Sequence, residues 1–357
     1  MSVWTRLYRG ESRINFIGHR KRWYFASLIL ILICVVSFIV RGFHYGVEFK
    51  GGSTFTFTGT NASASTVTKA FEDAGEPPAQ AVQVVGGSGI VVNTKPLTAA
   101  QSQKLQADVA RSLGISESKV SATSIGSQWG HDTTIRALEG LIIFLIAVSI
   151  YISLRFQWRM AVGGMLALLH DLVVAAGIYS LVGFEVTPST IVGLLTILGF
   201  SLYDTVVVYD KVGENAKDIL AGSRMTFSEA ANLAVNQTLM RSINTSLIAL
   251  LPVAGLLFVG AGILGVGTIK DLALILFVGL ASGAYSSLFL ATPIVVDLTE
   301  RDPQYKALTK RVTAKRASEA KRASDAQLTG VAAAAARRSG PAPAPKVGAR
   351  PERRKRK

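Results

Sequence analysis

An aspartate stands inside an apolar run long enough to cross a bilayer: Asp204, within residues 188–209. Placing an aspartate near the centre of a membrane helix costs roughly 2.5 to 3.5 kcal/mol on insertion scales. A chain that keeps one there has to supply its partners from within, because lipid offers none. Arg241, at the start of the next apolar run, is the expected partner. Successive spans run antiparallel, which brings it to a depth near Asp204. Gly199, Ser201, Tyr203 and Thr205 form a small, polar stretch around the acid. Two rival readings stay open: Asp204 reaches interfacial water beside Asp210, and Arg241 snorkels as an anchor at the membrane edge.

The remainder of the chain has the composition of a membrane protein. Of its 357 residues 49% are hydrophobic and 17% charged, with a mean hydropathy of +0.38. Six spans are predicted, at 23–40, 135–154, 160–182, 188–209, 239–260 and 268–296, each near or above the length that crosses the hydrocarbon. Arg20, Lys21 and Arg22 before the first span resemble the start of a signal peptide. Arg41-Gly42-Phe43-His44 after it lacks the small-residue cleavage pattern, so the span reads as an uncleaved anchor.

Arg6, Arg9 and Arg13, Arg155 and Arg159, and Lys211, Lys217 and Arg224 all fall on one side, together with the tail. The positive-inside rule makes that side cytoplasmic. The predicted organisation is a cytoplasmic segment 1–22, a first span 23–40, an extracytoplasmic domain 44–132, spans two to six within 135–297, and a basic tail 298–357. The tail from Arg301 onward holds 17 Lys/Arg against four acids, a net +13. Its low complexity predicts disorder beyond about Ala323, and its charge reads first as a solvated positive-inside anchor and next as a contact for anionic membrane lipid, with no specific nucleic acid implied. With Cys34 as its single cysteine the chain has no intrachain disulfide.

The 44–132 segment reads as a small α+β domain. Residues 53–58, 81–85, 90–94 and 119–125 have strand character. Residues 65–74 and 98–113 read as helices ending at Gly75 and Gly114, and Thr98 is the expected N-cap. Gly86-Gly87-Ser88-Gly89 marks a hairpin. The order βαββαβ matches the ferredoxin-like split unit. The fold class is therefore an α-helical polytopic membrane protein with six transmembrane helices and a small ferredoxin-like extracytoplasmic domain.

Neither a phosphate-binding loop, nor a metal-ligand spacing, nor a catalytic constellation is present, so the sequence indicates no enzyme, cofactor or metal. Work would draw on the membrane potential, about 2.3 kcal/mol per charge per 100 mV. His170-Asp171 in mid-span three is a candidate proton relay or a structural hydrogen bond, and the two side chains point about 100° apart. Tyr203, Asn244 and Thr245 are candidates for the same polar seam. Gly279 and Gly283 form a GxxxG pattern suited to close helix packing. Gly51-Gly52 marks a turn of unusual backbone angles.

Five stretches together resemble the SecF branch of the SecD/SecF family, within the resistance-nodulation-division superfamily. They are Gly46-Val-Glu-Phe-Lys-Gly-Gly52, Leu168-Leu-His-Asp171, residues 199–215, Asn236 to Ser246, and Gly283-Ala-Tyr-Ser-Ser287. The resemblance implies a SecD-like partner completing twelve spans, the SecYEG channel and SecA as further partners, and proton-driven assistance to an emerging preprotein at the cytoplasmic membrane. It also implies a coupling aspartate at Asp204 and its arginine at Arg241. The chain departs from the family pattern at Tyr203, Gly213 and Glu48, where asparagine, arginine and aspartate are usual. Two other functions fit the residues: a small-molecule or lipid exporter of the same superfamily, and a non-transporting translocase scaffold.

Overall fold

Backbone groups in hydrocarbon must be paired within their own segment, so an apolar run without breakers becomes a helix. The computed structural model describes residues 14–59, 62–78, 82–85, 89–263 and 267–339. Among them are six helices long and apolar enough to cross a membrane. The first five are Arg20–Arg41, Ser127–Arg155, Trp158–Val182, Pro188–Asn215 and Phe227–Gly255. The sixth runs as Gly267–Ser286, widens into π-helix over Ser287–Ala291, and ends as Thr292–Glu300.

Several helices outrun the predicted hydrocarbon. The fifth begins at Phe227 because Thr226 and Glu229 form a capping box: the Thr226 hydroxyl accepts from the Glu229 N–H, and the Glu229 carboxylate accepts from the Thr226 N–H.

Spans three, four and six make the centre of the bundle. They bury 50, 44 and 50% of their apolar windows, against 17, 11 and 6% for spans one, two and five. Small residues let the central helices close. A Cβ on Gly283 would lie 2.8 Å from the Cβ of Ser201, and one on Gly279 would overlap Ile197. The GxxxG pattern therefore faces span four.

The domain between spans one and two has a four-stranded antiparallel sheet: β2 (Gly52–Phe57), β3 (Gln83–Val85), β4 (Gly89–Thr94) and β5 (Val120–Ile125), in the order β3-β4-β2-β5. Helices Ala64–Asp73 and Ala99–Ser112 share its core, where the rings of Phe55 and Phe57 meet Phe71 edge-on. Thr98 caps the second helix in a capping box with Gln101. The element order is βαββαβ. The expected hairpin turn at Gly86-Gly87-Ser88 lies outside the described residues.

A short strand pairing ties the domain to the bundle. Strand β1 (His44–Tyr45) pairs in parallel with β6 (Glu185–Val186), which lies between spans three and four. Gly51 and Gly52 then turn the chain into β2 with φ of 74° and 155°, and a Cβ on Gly52 would sit 2.7 Å from the Thr94 carbonyl oxygen.

At the other end, Asn232 and Asn236 on the extension of span five grip the start of the described chain. Asn236 Oδ1 accepts from the Ile14 N–H at 3.0 Å, and the amide groups of both asparagines donate to the Ile14 carbonyl. Asn232 Oδ1 accepts from the N–H groups of Phe16 and Ile17.

The basic tail departs from expectation. Pro303–Ser339 is one helix, continuing past residue 323. Leu308 and Val312, one turn apart, pack on Ile219 and Ala230. Arg316 pairs with Glu229 at 2.6 Å. High helix propensity in its Ala, Lys, Arg and Gln residues outweighs the polar composition that suggested disorder. Residues 340–357 lie outside the described residues, as do Arg6, Arg9 and Arg13.

Phe71 joins both ring contacts of the domain core. Phe71→Ala is expected to destabilise the domain by about 3–5 kcal/mol. Hydrogen exchange would show protection lost across β2 and β4 while spans three, four and six keep theirs.

Candidate functional site

Two buried carboxylates lie in the middle of the central trio. Asp171 comes from span three and Asp204 from span four, with exposures of 1 and 3%. Ionised carboxylates buried so deeply need several donors. Serine hydroxyls from the neighbouring helices supply them. Asp204 Oδ1 accepts from Ser242 Oγ of span five at 2.7 Å, and its Oδ2 from Ser287 Oγ of span six at 2.6 Å. Asp171 Oδ1 accepts from Ser282 Oγ at 2.7 Å. Its Oδ2 accepts from Ser201 Oγ and Ser286 Oγ, each at 2.6 Å.

The two sites are neighbours through their donors. Ser201 is one turn before Asp204 on span four. Ser286 and Ser287 are consecutive, yet each serves a different carboxylate. They sit where span six passes into π-helix, a form often found as a local bulge at functional positions. His170 Nδ1 is 3.2 Å from Asp171 Oδ1. His170 Nε2 is buried and meets no hydrogen-bond partner among the described residues.

The chemistry of such a site follows from its donor type. A hydroxyl both donates and accepts, so a rotating serine can serve an ionised carboxylate and then a protonated one. A guanidinium only donates and favours the ionised form alone. Carboxylates held by hydroxyls can therefore take up a proton and keep a hydrogen bond to the same partners, though a weaker one than the ionised form makes.

Arg241 is the main departure from the sequence reading. Its guanidinium does not face Asp204. It is exposed, and its Nη2 donates to the Tyr203 hydroxyl at 3.3 Å. Consecutive helix positions differ by about 100°, so Ser242 takes the inward place and Arg241 the outward one. Tyr203 is likewise turned out from Asp204 and is half exposed. Asn244 is exposed, and Thr245 donates back to the Arg241 carbonyl, so neither reaches the carboxylates. Asp171 and His170 do belong to the seam.

The serines were visible in the sequence without a sign of their role. A hydroxyl in an apolar span carries little insertion cost, so a serine does not stand out as an aspartate does, although Ser282 and Ser286, four apart, share one helix face.

A family model described as "Protein export membrane protein SecD/SecF, C-terminal" matches residues 105–301, more than half of the chain. The chain belongs to the SecD/SecF protein-export family. The "SecD/SecF GG Motif" model matches residues 36–61, which contain Gly51 and Gly52. Protein translocase subunit SecF of Streptomyces coelicolor is 48% identical over 326 residues, covering 90% of this chain and 87% of the relative. The subunit SecF of Mycobacterium tuberculosis is 42% identical, covering 89 and 74%.

Protein translocase subunit SecDF of Thermus thermophilus is 32% identical over 80% of this chain and 38% of the relative. A crystal structure of Thermus SecDF, described as a translocon-associated membrane protein, matches with a TM-score of 0.73 at 31% identity, over 82% of this chain and 39% of that one. A second solved structure, SecDF in a super-membrane-facing form, matches with a TM-score of 0.58 at 30% identity, over 86% of this chain and 40% of that one. The chain thus spans about two-fifths of the fused SecDF proteins. It is a multi-pass membrane protein of a protein-translocation family.

The geometry makes Ser242, and not Arg241, the residue coupled to Asp204. In double-mutant cycles read by thermal unfolding in detergent, Asp204→Asn with Arg241→Gln should add within about 0.5 kcal/mol. Asp204→Asn with Ser242→Ala should show a coupling of about 0.5–3 kcal/mol. The reverse pattern would restore the acid–arginine pair.

Proposed function

We propose that this chain is the six-span half of a proton-driven accessory to Sec protein export. It works beside a SecD-like half, next to the SecYEG channel and the SecA motor, in a bacterial cytoplasmic membrane. The observation that carries the reading is the pair of buried carboxylates, Asp171 and Asp204, each held by hydroxyls from neighbouring helices. The alternative of a small-molecule or lipid exporter has no support among the translocase relatives.

Six spans among the described residues put the chain before span one and the helix Pro303–Ser339 at one end of the bundle. The positive-inside rule assigns that end to the cytoplasm and the βαββαβ domain to the outside. Protonation of Asp204 removes the charge that draws Ser242 and Ser287 inward, and loosens spans five and six around span four. Deprotonation draws them back. Two packings of this kind are what alternating access to a proton requires. Asp171 is the second station, one serine pair away, with His170 beside it. The outer domain, rooted on spans one and two, moves with the bundle and grips or releases an emerging chain.

The partner face is also readable. Span five turns Arg241, Ile243, Leu247, Ile248 and Leu251 outward, beside the exposed Tyr203 of span four. An apolar groove of about 400 Å³ lies between spans five and six, lined by Ile243, Leu247, Leu250, Ala284 and Leu288. The fused SecDF relatives, in which the matching region is joined to as much chain again and more, support a second half packed against such a face.

Secretion rate in cells whose only copy carries Asp204→Asn tests the reading. The expected result is export falling to the level of cells lacking the subunit, with membrane assembly unchanged. Asp171→Asn should slow export less severely. Normal export by the Asp204→Asn protein would leave only a scaffold role.

A further inference from the structure

A second group of ionisable residues stands apart from the carboxylates inside the bundle. It lies where the outer domain rests on the membrane part. Glu185, in β6, accepts a hydrogen bond at 2.8 Å from Asn93 Nδ2 of β4, on the domain sheet. Asn93 Oδ1 accepts in turn from Thr54 Oγ1 of β2, its register partner, at 2.9 Å. One side-chain bridge thus crosses from the loop between spans three and four to two strands of the domain. Beside it is the two-residue pairing of β1 with β6, closed by the Gly46 N–H bonding to the Val186 carbonyl at 2.9 Å.

Charge at this junction is unbalanced. Glu48 folds its carboxylate over Gly46, so that a Cβ there would collide with it. Asp271, at the outer start of span six, and Glu48 both bear electrostatically on Glu185. Lys270 is the nearby cation, and its ammonium sits 3.9 Å from the centre of the Phe184 ring. His44 is the register partner of Glu185 across the strand pair. Arg41 is spent on the Leu181 carbonyl, and Lys50 lies over the Tyr45 ring.

We propose that Glu185 is the positioning residue of a proton-sensitive clasp, which holds the outer domain against the bundle when Glu185 is neutral and loosens it when Glu185 is ionised beside Glu48 and Asp271.

The direction follows from linkage. Burial first, then the carboxylates of Asp271 and Glu48, push Glu185 from its ordinary 4.5 up to about 7, against the Asn93 hydrogen bond and Lys270, which pull it down. Lifting the domain exposes Glu185 to water and returns it to the ordinary range. The docked state therefore binds the proton more tightly. Docking is strongest below the ordinary carboxylate range, weakens as pH rises toward 7, and is level above it. The bridge to Asn93 survives in either state, because a neutral carboxyl keeps an acceptor oxygen. What changes is the repulsion among three acids on three separate elements. This clasp adds to the proposed export role without depending on it, since its readout is the position of the domain.

The test is a distance measurement on the full chain in lipid nanodiscs. Spin labels go on Lys104→Cys in the domain and Val192→Cys on span four, both exposed positions, with Cys34→Ser removing the native thiol. The expected result is one short distance at pH 5 and a growing longer component up to pH 8. The docking constant should fall roughly ten- to a hundredfold across that window. Glu185→Gln should stay short at every pH, and Asn93→Ala should show the longer component even at pH 5. Hydrogen exchange in β2 and β4 confirms that the domain is folded in each variant. Identical distances at pH 5 and pH 8 in the otherwise native chain, or an unaltered pH profile in Glu185→Gln, would overturn the proposal. So would an Asn93→Ala protein indistinguishable from the parent. Asp204→Asn export data bear on the other reading alone.

Discussion

A carboxylate away from water has to be answered by donors, and here the answer dictates which helices touch. Asp171 draws hydroxyls from spans four and six, and Asp204 draws them from spans five and six. Span six serves both acids, which is why it lies at the centre and why it needs Gly279 and Gly283 to approach span four. The π-turn at Ser287 shifts the register of that helix at the place where one serine must serve one acid and the next serine the other. Small residues, serines and acids form one device: the glycines bring the backbones close enough for a side chain as short as serine to bridge them.

From this seam, contacts lead outward to the helix that carries the domain. Tyr285, one residue before Ser286, shares its hydroxyl with Ser27 and with the Trp23 carbonyl of span one. Lower on the same pair of helices Tyr24 donates to Asp297 at 2.7 Å, and Arg20 pairs with Asp297 at 3.1 Å and with Glu300 at 3.3 Å. Toward the domain, Ser37 meets Ser180 of span three at 3.0 Å. Span one, though mostly lipid-exposed, is fastened along its length to span six, which supplies donors to both acids, and to span three, which holds Asp171. A displacement of span six at Ser286 and Ser287 is felt by the segment that leads into β1 and the Gly51-Gly52 turn.

Much of this was legible in the residues. Asp204 and Asp171 announce themselves because a charge in an apolar run has no cheap explanation. The six spans and the domain's strands and helices follow from periodicity, and Thr98 caps its helix as expected. Rotation was harder to read than depth. Arg241 lies beside Tyr203 but faces away from Asp204, because one residue of offset turns a helical side chain by about 100°. The serines escaped because a hydroxyl in lipid can satisfy itself on its own helix, as Thr205 does on the Ser201 carbonyl. In the tail, net charge and low complexity argued for disorder, while strong helix formers and two apolar residues at helical spacing won locally.

The asparagine grip on residues 14–17 has a consequence for how this region can change. The hydrogen bonds that Asn232 and Asn236 make to Ile14, Phe16 and Ile17 go to main-chain atoms, N–H groups and a carbonyl, and all but one residue type provides both. The grip fixes where the chain lies without reading which side chains it carries. Position 14, whose isoleucine is largely exposed, is therefore free to drift in sequence. Proline at 14, 16 or 17 is the exception, since it would arrive without the hydrogen that the clamp holds.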